Sequence, residues 1–541
     1  MKHPGRTSPG GSINRAREAA KRHFGHTSLL PGQEETLRAL LDGHDVLLVS
    51  PTGSGKSLAY QVAGVLLDGC TLVVSPLLAL QRDQMQGLRD GGPELRAARI
   101  SSAETQAQRE SALDRARAGD LEFLFLSPEQ LANPDVLSSV ADIRPSLIAV
   151  DEAHCVSAWG HDFRPDYFRL GELIDRLGSP RIIAMTATAA LPVRADIVER
   201  LGLRDPKTVV TGLQRDNLAL TTLRCSTADE QRRTTLDVVQ KAADGGLGIL
   251  YCRTRKGTEE YAAALQAAGR RAVTYHAGLS QKARERAYQA FMSDGVDVIV
   301  ATSAFGMGIN KPDIRYVVHA EVPESPDTYY QEVGRAGRDG ERATATLVYR
   351  PEDLALGRFF SSGIPKRKDV HAVLDAVAQA GSTDPELVRA HTQLGPRKLG
   401  RILNLLTQVE GAGAGEGVRG ETVDAVIGRA EAHRALERSR VEMMRGYAET
   451  SRCRSDFLVA YFGEQQLEPC GICDNCQAGT TTHVTSDDAT FPVHSQVRHG
   501  EFGSGTVTDL EADRITVLFD DAGYKTLSLK VVRRQSLLQS T

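Results

Sequence analysis

Tryptophan is nearly missing from this chain of 541 residues: there is one, Trp159, and aromatic residues make up only 5% of the composition. Long apolar runs are missing too. Nothing approaches the roughly 20 consecutive apolar residues that a bilayer span needs. The opening stretch "MKHPGRTSPGGSINRAREAAKRHFG" carries basic residues with no apolar segment behind them, which argues against a secretory signal. The expected location is cytoplasmic, in association with the nucleoid, with no membrane partner. An excess of one charge is also lacking. Against 65 Lys and Arg stand 69 Asp and Glu, for a net charge of −4, so any surface for nucleic acid has to be local. Cysteine is sparse, with 8 in all. Cys70, Cys155, Cys225 and Cys252 sit singly in apolar segments, as buried thiols do. Cys453, Cys470, Cys473 and Cys476 cluster, as metal ligands rather than disulfide partners do in a reducing compartment.

What is present is length and alternation. A chain of this size suggests roughly three to five domains. Short β-branched runs such as "DVLLVS", "TLVVSP", "SLIAVDEAH" and "RIIAMTAT", then "LGILYCRT", "VDVIVATS" and "RYVVHAE", alternate with amphipathic stretches. That is the rhythm of βα units around parallel sheets, with enough runs for two of them. The expected fold class is α/β, with two tandem RecA-like domains divided near residue 212.

Between "DVLLVS" and a helix starting near Lys56 stands "SPTGSGKS", residues 50–57. Thr52, Gly53, Ser54 and Gly55 can turn successive N–H groups inward around phosphates. Lys56 adds a mobile positive charge, and the Ser57 hydroxyl suits Mg2+. The usual pattern opens on glycine; here Ser50 takes that place. "VDEAH", residues 150–154, puts two carboxylates at the end of an apolar strand. Asp151 is placed to hold the metal's water shell, and Glu152 to orient and deprotonate an attacking water. "QEVGRAGRDG" offers Arg335 and Arg338 to stabilise charge across an interdomain cleft.

Taken in order over residues 24–350, these motifs resemble those of superfamily 2 helicases, and closely those of the RecQ family: "FGH" with "PGQEE", "SPTGSGKS", "VVSPLLALQRDQ", "VDEAHCVSAWGHDFRPDY", "MTATA", "YHAGL", "ATSAFGMGINKPDIRYVVH" and "YYQEVGRAGRDG". The resemblance implies that Gln33 reads the adenine edge and that Phe24 stacks near the base. It gives Lys56 and Ser57 to the phosphates and Mg2+, Asp151 and Glu152 to metal and water, and the finger role to Arg338 with help from Arg335. It identifies "CVSAWGHDFRPDYFRL", with Trp159, His161, Phe163, Arg164 and Tyr167, as the aromatic-rich loop coupling single-stranded DNA to ATP hydrolysis; a local hydrophobic plug is the plainer reading of the same residues. Thr186, Thr188, His276 and Thr302 would contact the nucleic-acid backbone or link the two lobes.

Behind the motor, residues 366–410 read as three helical segments with helix-turn-helix grammar, and Arg397, Lys398 and Arg401 lie near a helix start. A bundle bracing the second lobe fits the same pattern. The clustered cysteines run C-x16-C-x2-C-x2-C, a four-thiolate set suited to structural Zn2+, with an iron–sulfur cluster as the alternative. "YFGE" and "CDNC" resemble the RecQ zinc module. Here the order departs from the best-known family layout, because the helix-turn-helix-like segment precedes the zinc module. The tail alternates apolar and polar residues with glycine turns, as a small antiparallel barrel does. Its "VRHGEFGSGTV" and "YKTLSL" resemble the Tudor-like C-terminal module of UvrD-type helicases, which implies a protein partner, RNA polymerase or a repair protein, for residues 491–541. Small barrels also bind nucleic acid.

The expected organisation is a basic N-terminal tail (1–23), RecA-like domain 1 (24–212), RecA-like domain 2 (213–350), a helical helix-turn-helix or winged-helix-like segment (351–440), a zinc module (441–478), a linker (479–490) and a small SH3- or Tudor-like β-barrel (491–541). The resemblance implies an ATP-dependent helicase moving 3′ to 5′ on single-stranded DNA and unwinding tailed or forked duplexes in repair, recombination or replication. A DNA-stimulated translocase, a polymerase-tethered adaptor and an RNA helicase are the alternatives.

Overall fold

Runs such as "VLLV" and "LIAV" show no polar alternation, which suits strands covered on both faces. The computed structural model describes residues 9–76, 78–90, 95–101, 103–157, 167, 170–306, 309, 311–354, 363–409, 419–464, 468–481, 490–511 and 513–540. The first lobe has seven strands, β1 (Val46–Val49), β2 (Thr71–Val74), β3 (Ala97–Ile100), β4 (Phe123–Leu126), β5 (Leu147–Val150), β6 (Arg181–Thr186) and β7 (Lys207–Val210), of which β1, β2, β4 and β5 are buried at every residue. They make one parallel sheet in the order β3-β4-β2-β5-β6-β1-β7. Alternate residues feed two separate cores, with Leu47 and Val49 in one and Val46 and Leu48 in the other.

Helix α1 (Pro9–Phe24) takes up most of the stretch expected as a basic tail. Ile13, Ala16, Ala19 and Ala20 are buried in the first lobe's core, so this segment is part of the domain rather than an appendage. Four further helices matter below: α2 (Pro31–Asp42), α3 (Lys56–Leu66), α4 (Leu78–Asp90) and α5 (Gln106–Arg117).

The second lobe repeats the scheme with β8 (Leu218–Arg224), β9 (Gly248–Tyr251), β10 (Ala272–Tyr275), β11 (Val298–Ala301), β12 (Tyr316–His319) and β13 (Ala343–Tyr349), parallel in the order β10-β11-β9-β12-β13-β8. The two lobes and residues 447–483 group as one compact unit.

Residues 352–446 and 484–541 form the other unit. Its helices Arg367–Ala380, Pro385–Arg389 and Pro396–Leu406 bury Val370, Val373, Leu399 and Ile402 in a common core. Of the basic residues near the start of the last of these helices, Arg397 and Lys398 are both exposed, and Lys398 is held by Asp369 at 2.6 Å. The tail forms an antiparallel sheet of β14 (Gln496–His499), β15 (Gly503–Leu510), β16 (Arg514–Phe519), β17 (Gly523–Ser528) and β18 (Leu538–Ser540), in the order β17-β16-β15-β14-β18. Val497, Val507, Ile515, Val517 and Phe519 fill its core.

Candidate active site

The loop from β1 to α3 is shaped by two glycines in the left-handed region. Gly55 (φ +74°) precedes the first turn of α3, and a Cβ there would lie 2.6 Å from Gln33 Nε2. Gly53 (φ +84°) leaves room for the Arg338 chain, whose Cδ would stand 2.9 Å from such a Cβ. Ser50 is outside the left-handed region, so the position that the phosphate-loop pattern gives to glycine needs none here. Its hydroxyl is used instead: it donates to Ser54 Oγ at 2.8 Å and accepts from Thr211 at 3.3 Å, fastening the loop to the end of β7. Gln33 accepts from Leu30 N at 3.0 Å and donates to the carbonyls of Ser54 and Gly55, each at 3.2 Å. The side chain expected to read the adenine edge is thus a strut of the loop. Phe24 is half-buried against the first-lobe core at the end of α1.

Lys56 lies back over the loop, donating to Ser50 O at 2.7 Å and Pro51 O at 3.0 Å. Burial lowers its ammonium to about 8, against the opposing pull of Glu152 and Asp151. Asp151 is buried at the end of β5, where its carboxylate accepts from Gln84 Nε2 and from the Glu152 amide, both at 3.0 Å. Burial raises this carboxyl despite Lys56 nearby. A cation bound by Asp151 and Ser57 would relieve the desolvation of the Asp151 carboxylate, so the donor set fits Mg2+. Glu152 adopts φ +49°, a conformation side chains rarely take, next to the carboxylate that would meet the metal.

From Glu152 a polar chain runs to the second lobe. Glu152 Oε2 lies 3.4 Å from His154 Nδ1, which is 3.0 Å from Thr186 Oγ1. Thr186 donates to Thr188 O at 2.9 Å, and Thr188 Oγ1 accepts from Gln331 Nε2 at 3.2 Å. Both threonines are fully buried, so of their two expected roles the geometry supports the lobe link and not contact with nucleic acid. Gln84, His154 and Gln331 were not foreseen from the sequence.

Gln331 belongs to the helix Pro326–Val333, and the turn after it carries Arg335 and Arg338. Arg338 donates to Ile309 O at 2.6 Å, while its Nε and Nη2 are buried without partners, as is Arg335 Nε. Burial, then the charges of Arg335 and Arg215, lower the Arg338 guanidinium. Buried unmatched donors against a glycine loop are the arrangement that a polyphosphate would satisfy. Arg215 and Asn217 fix the turn by donating to Gly337 O at 2.8 and 2.7 Å. They too escaped the sequence reading, since nothing in their neighbourhood marks them.

The remaining expected DNA contacts divide. Trp159, His161, Phe163 and Arg164 lie outside the described residues. Tyr167 is fully buried and donates to Asp151 O at 3.1 Å, so it cannot stack on a base and instead buttresses the backbone of Asp151. His276 is buried at the end of β10, 3.2 Å from Glu259, and Thr302 is half-buried just after β11.

The four clustered cysteines bring their sulfurs within 4.8 Å of one another. Thiolates at about 2.3 Å around a tetrahedral Zn2+ would stand about 3.8 Å apart, so this set fits the ion after small adjustments. The module is fastened to both lobes. Arg194 of the first lobe donates to Phe462 O at 2.8 Å and to Glu464 at 2.9 Å. Asp474 accepts from the Thr222 amide of β8 at 2.9 Å and holds Arg454 at 2.5 Å. Among the described residues no helix is long and apolar enough to cross a membrane.

Comparison with known proteins agrees with this geometry. Residues 30–197 match the DEAD/DEAH box helicase model, 230–340 the helicase conserved C-terminal domain, and 419–477 the RecQ zinc-binding model, which takes in the 31-residue helix Arg419–Glu449. The probable ATP-dependent DNA helicase RecS of Bacillus subtilis is 41% identical over 62% of this chain and 66% of its own length. The ATP-dependent DNA helicase RecQ of Haemophilus influenzae is 34% identical over 84% of this chain and 62% of its own. The chain thus spans slightly under two thirds of these relatives. The ATP-dependent DNA helicase RecQ of Bacillus subtilis is 30% identical over 97% of this chain and 78% of its own length. In fold, the Mycobacterium smegmatis helicase Lhr bound to ssDNA and AMP-PNP superposes with a TM-score of 0.52 at 21% identity, over 74% of this chain and 58% of that one. With the glycine loop, the DEAH strand end, the paired arginines and the cysteine cluster in place, this chain belongs to the RecQ family of ATP-dependent DNA helicases.

Proposed function

We propose that the protein couples ATP hydrolysis to 3′-to-5′ movement on single-stranded DNA and so unwinds tailed or forked duplexes. The observation that carries this reading is Arg338: a second-lobe guanidinium with buried, unmatched donors packed against Gly53 of the first lobe's phosphate loop. In this reading Thr52, Gly53, Ser54, Gly55 and Lys56 hold the phosphates, Ser57 and Asp151 hold Mg2+, and Glu152 orients and deprotonates the attacking water. Mg2+ would neutralise charge on the phosphate oxygens. Arg338, with Arg335 beside it on the same turn, completes the site only when the lobes meet, so release after hydrolysis frees them to part and re-grip the strand. Trp159, His161, Phe163 and Arg164 are assigned to single-strand sensing, and Cys453, Cys470, Cys473 and Cys476 to a structural Zn2+. Residues 9–212 and 213–350 serve as the two motor domains, and 491–541 as a docking module for a protein partner, RNA polymerase or a repair protein, at the nucleoid.

The decisive experiment is ATP-driven strand displacement on matched 3′-tailed and 5′-tailed DNA duplexes, with Lys56→Ala as the blank. Displacement from the 3′ tail alone is expected. Brisk DNA-stimulated hydrolysis without displacement would make the protein a translocase or adaptor, and stimulation by RNA in preference to DNA would overturn the substrate.

A further inference from the structure

Helices α4 and α5 flank edge strand β3 around an open groove of about 690 Å³. On α4, Arg82, Met85, Gln86 and Arg89 face it, a spacing of i, i+3, i+4 and i+7 that usually marks the apolar stripe of a helix. On α5 the matching stripe is Gln108, Ser111, Ala112 and Arg115. Arginines and short side chains leave the edge of the sheet open between the two helices, whose buried faces, with Leu88 on α4 and Leu113 on α5, pack into separate cores. Ala97 and Ala98 of β3 give the groove its depth.

Its unpaired charge is of one sign. Arg99 is neutralised within the groove by Glu104, at 3.0 Å from its Nε, and Glu104 is the one acidic lining residue among those described. Arg82, Arg89 and Arg115 are exposed, and none of the three has an ion pair among the described residues. Guanidinium groups lining one groove repel each other, and a bound polyanion turns that cost into attraction.

The position selects among anions. The first-lobe strands are all parallel, so Glu104, beyond the end of β3, lies at the same sheet edge as the phosphate loop after β1 and Asp151 after β5. The groove starts at that edge and runs back along α4, where Arg82 and Arg89 stand two turns, about 10.5 Å, apart. No aromatic ring lines it among the described residues, so bases have nothing to stack on. Met85 is its one large apolar side chain, which leaves an acidic peptide without the buried anchors that protein interfaces depend on. We infer that the groove between α4 and α5 is a second track for single-stranded DNA, gripping the phosphodiester backbone without regard to sequence beyond the strand's path between the lobes. The inference rests on the proposed DNA-motor function.

The test measures fluorescence anisotropy of the full chain with oligo-dT of about 8 and about 24 nucleotides, lengths chosen against site sizes of about 4–16 nucleotides. For Arg89→Ala with Arg115→Ala, affinity for the long oligonucleotide should fall about tenfold, and the slope of log K against log salt should become shallower by about 1.4. Affinity for the short one should stay within about twofold, which also shows that the variant is folded. Arg89→Lys with Arg115→Lys should restore the salt slope. An unchanged long-oligonucleotide affinity and slope in the alanine variant would overturn the inference. So would loss of binding to a poly-glutamate peptide with DNA binding intact, which would give the groove to a protein partner. Wild-type protein that bound neither oligonucleotide would overturn the motor function itself.

Discussion

The two lobes share a topology and contribute to one site in opposite ways. The first offers backbone: a glycine loop braced by Ser50 and Gln33, and at a strand end the Asp151 carboxylate held by Gln84 and the Glu152 amide. The second offers side chains on a turn, Arg335 and Arg338, whose donors are buried and incompletely matched. A backbone cradle can bind nucleotide by itself, whereas the arginines have a use only where the lobes meet. The difference separates binding from turnover.

Substitutions can break that division of labour. Lys56→Ala should abolish nucleotide binding and hydrolysis together, whereas Arg338→Ala should keep binding and lower kcat by about 10³-fold, with lysine a poor substitute for the fork. Single-turnover phosphate release beside equilibrium binding of a fluorescent ATP analogue would check both. Equal loss of binding in the two variants would erase the distinction. A smaller effect is expected at the bridge: Gln331→Ala should reduce DNA-stimulated kcat by about tenfold and basal hydrolysis by less, since it cuts the link at Thr188 without touching the phosphates. The ratio of stimulated to basal rates measures it.

The smallest effect is in pH. Lys56 is depressed to about 8 by burial, and phosphate binds its protonated form. As pH rises from 7 to 9, the free protein loses that proton and KM for ATP should rise about tenfold while kcat changes less. Folding shows the opposite sign. The unfolded chain holds this proton up to the ordinary lysine range, so stability grows as pH rises above about 8. A flat KM profile would remove Lys56 from phosphate binding.

Much of this was legible in the sequence because the chemistry is local. "SPTGSGKS" and "VDEAH" each pack a site's main residues into one turn beside an apolar strand, and the C-x2-C-x2-C spacing brings three thiolates together. What was missed is long-range or weakly marked. The bonds from Gln331 to Thr188 and from Arg194 to Phe462 join residues far apart in sequence. Helix α1 passed as a basic tail because most of its buried stripe, Ala16, Ala19 and Ala20, carries little hydrophobic signal. The sequence places Tyr167 beside base-stacking residue types, yet its ring is core and its hydroxyl serves Asp151. An aromatic cluster in a sequence does not say which ring faces inward.

The clasp of the zinc module on both lobes has a kinetic consequence. Arg194 grips the module from the first lobe and the Thr222 amide grips it from the second, so the lobes are joined by a short folded strap as well as by the chain near residue 212. In the proposed cycle a strap of fixed length would confine their excursions and keep the local concentration of the arginine turn near the phosphate loop high. Each closure would then begin from a near encounter instead of a search, with the entropy of bringing the halves together lost once, at folding, rather than in every cycle.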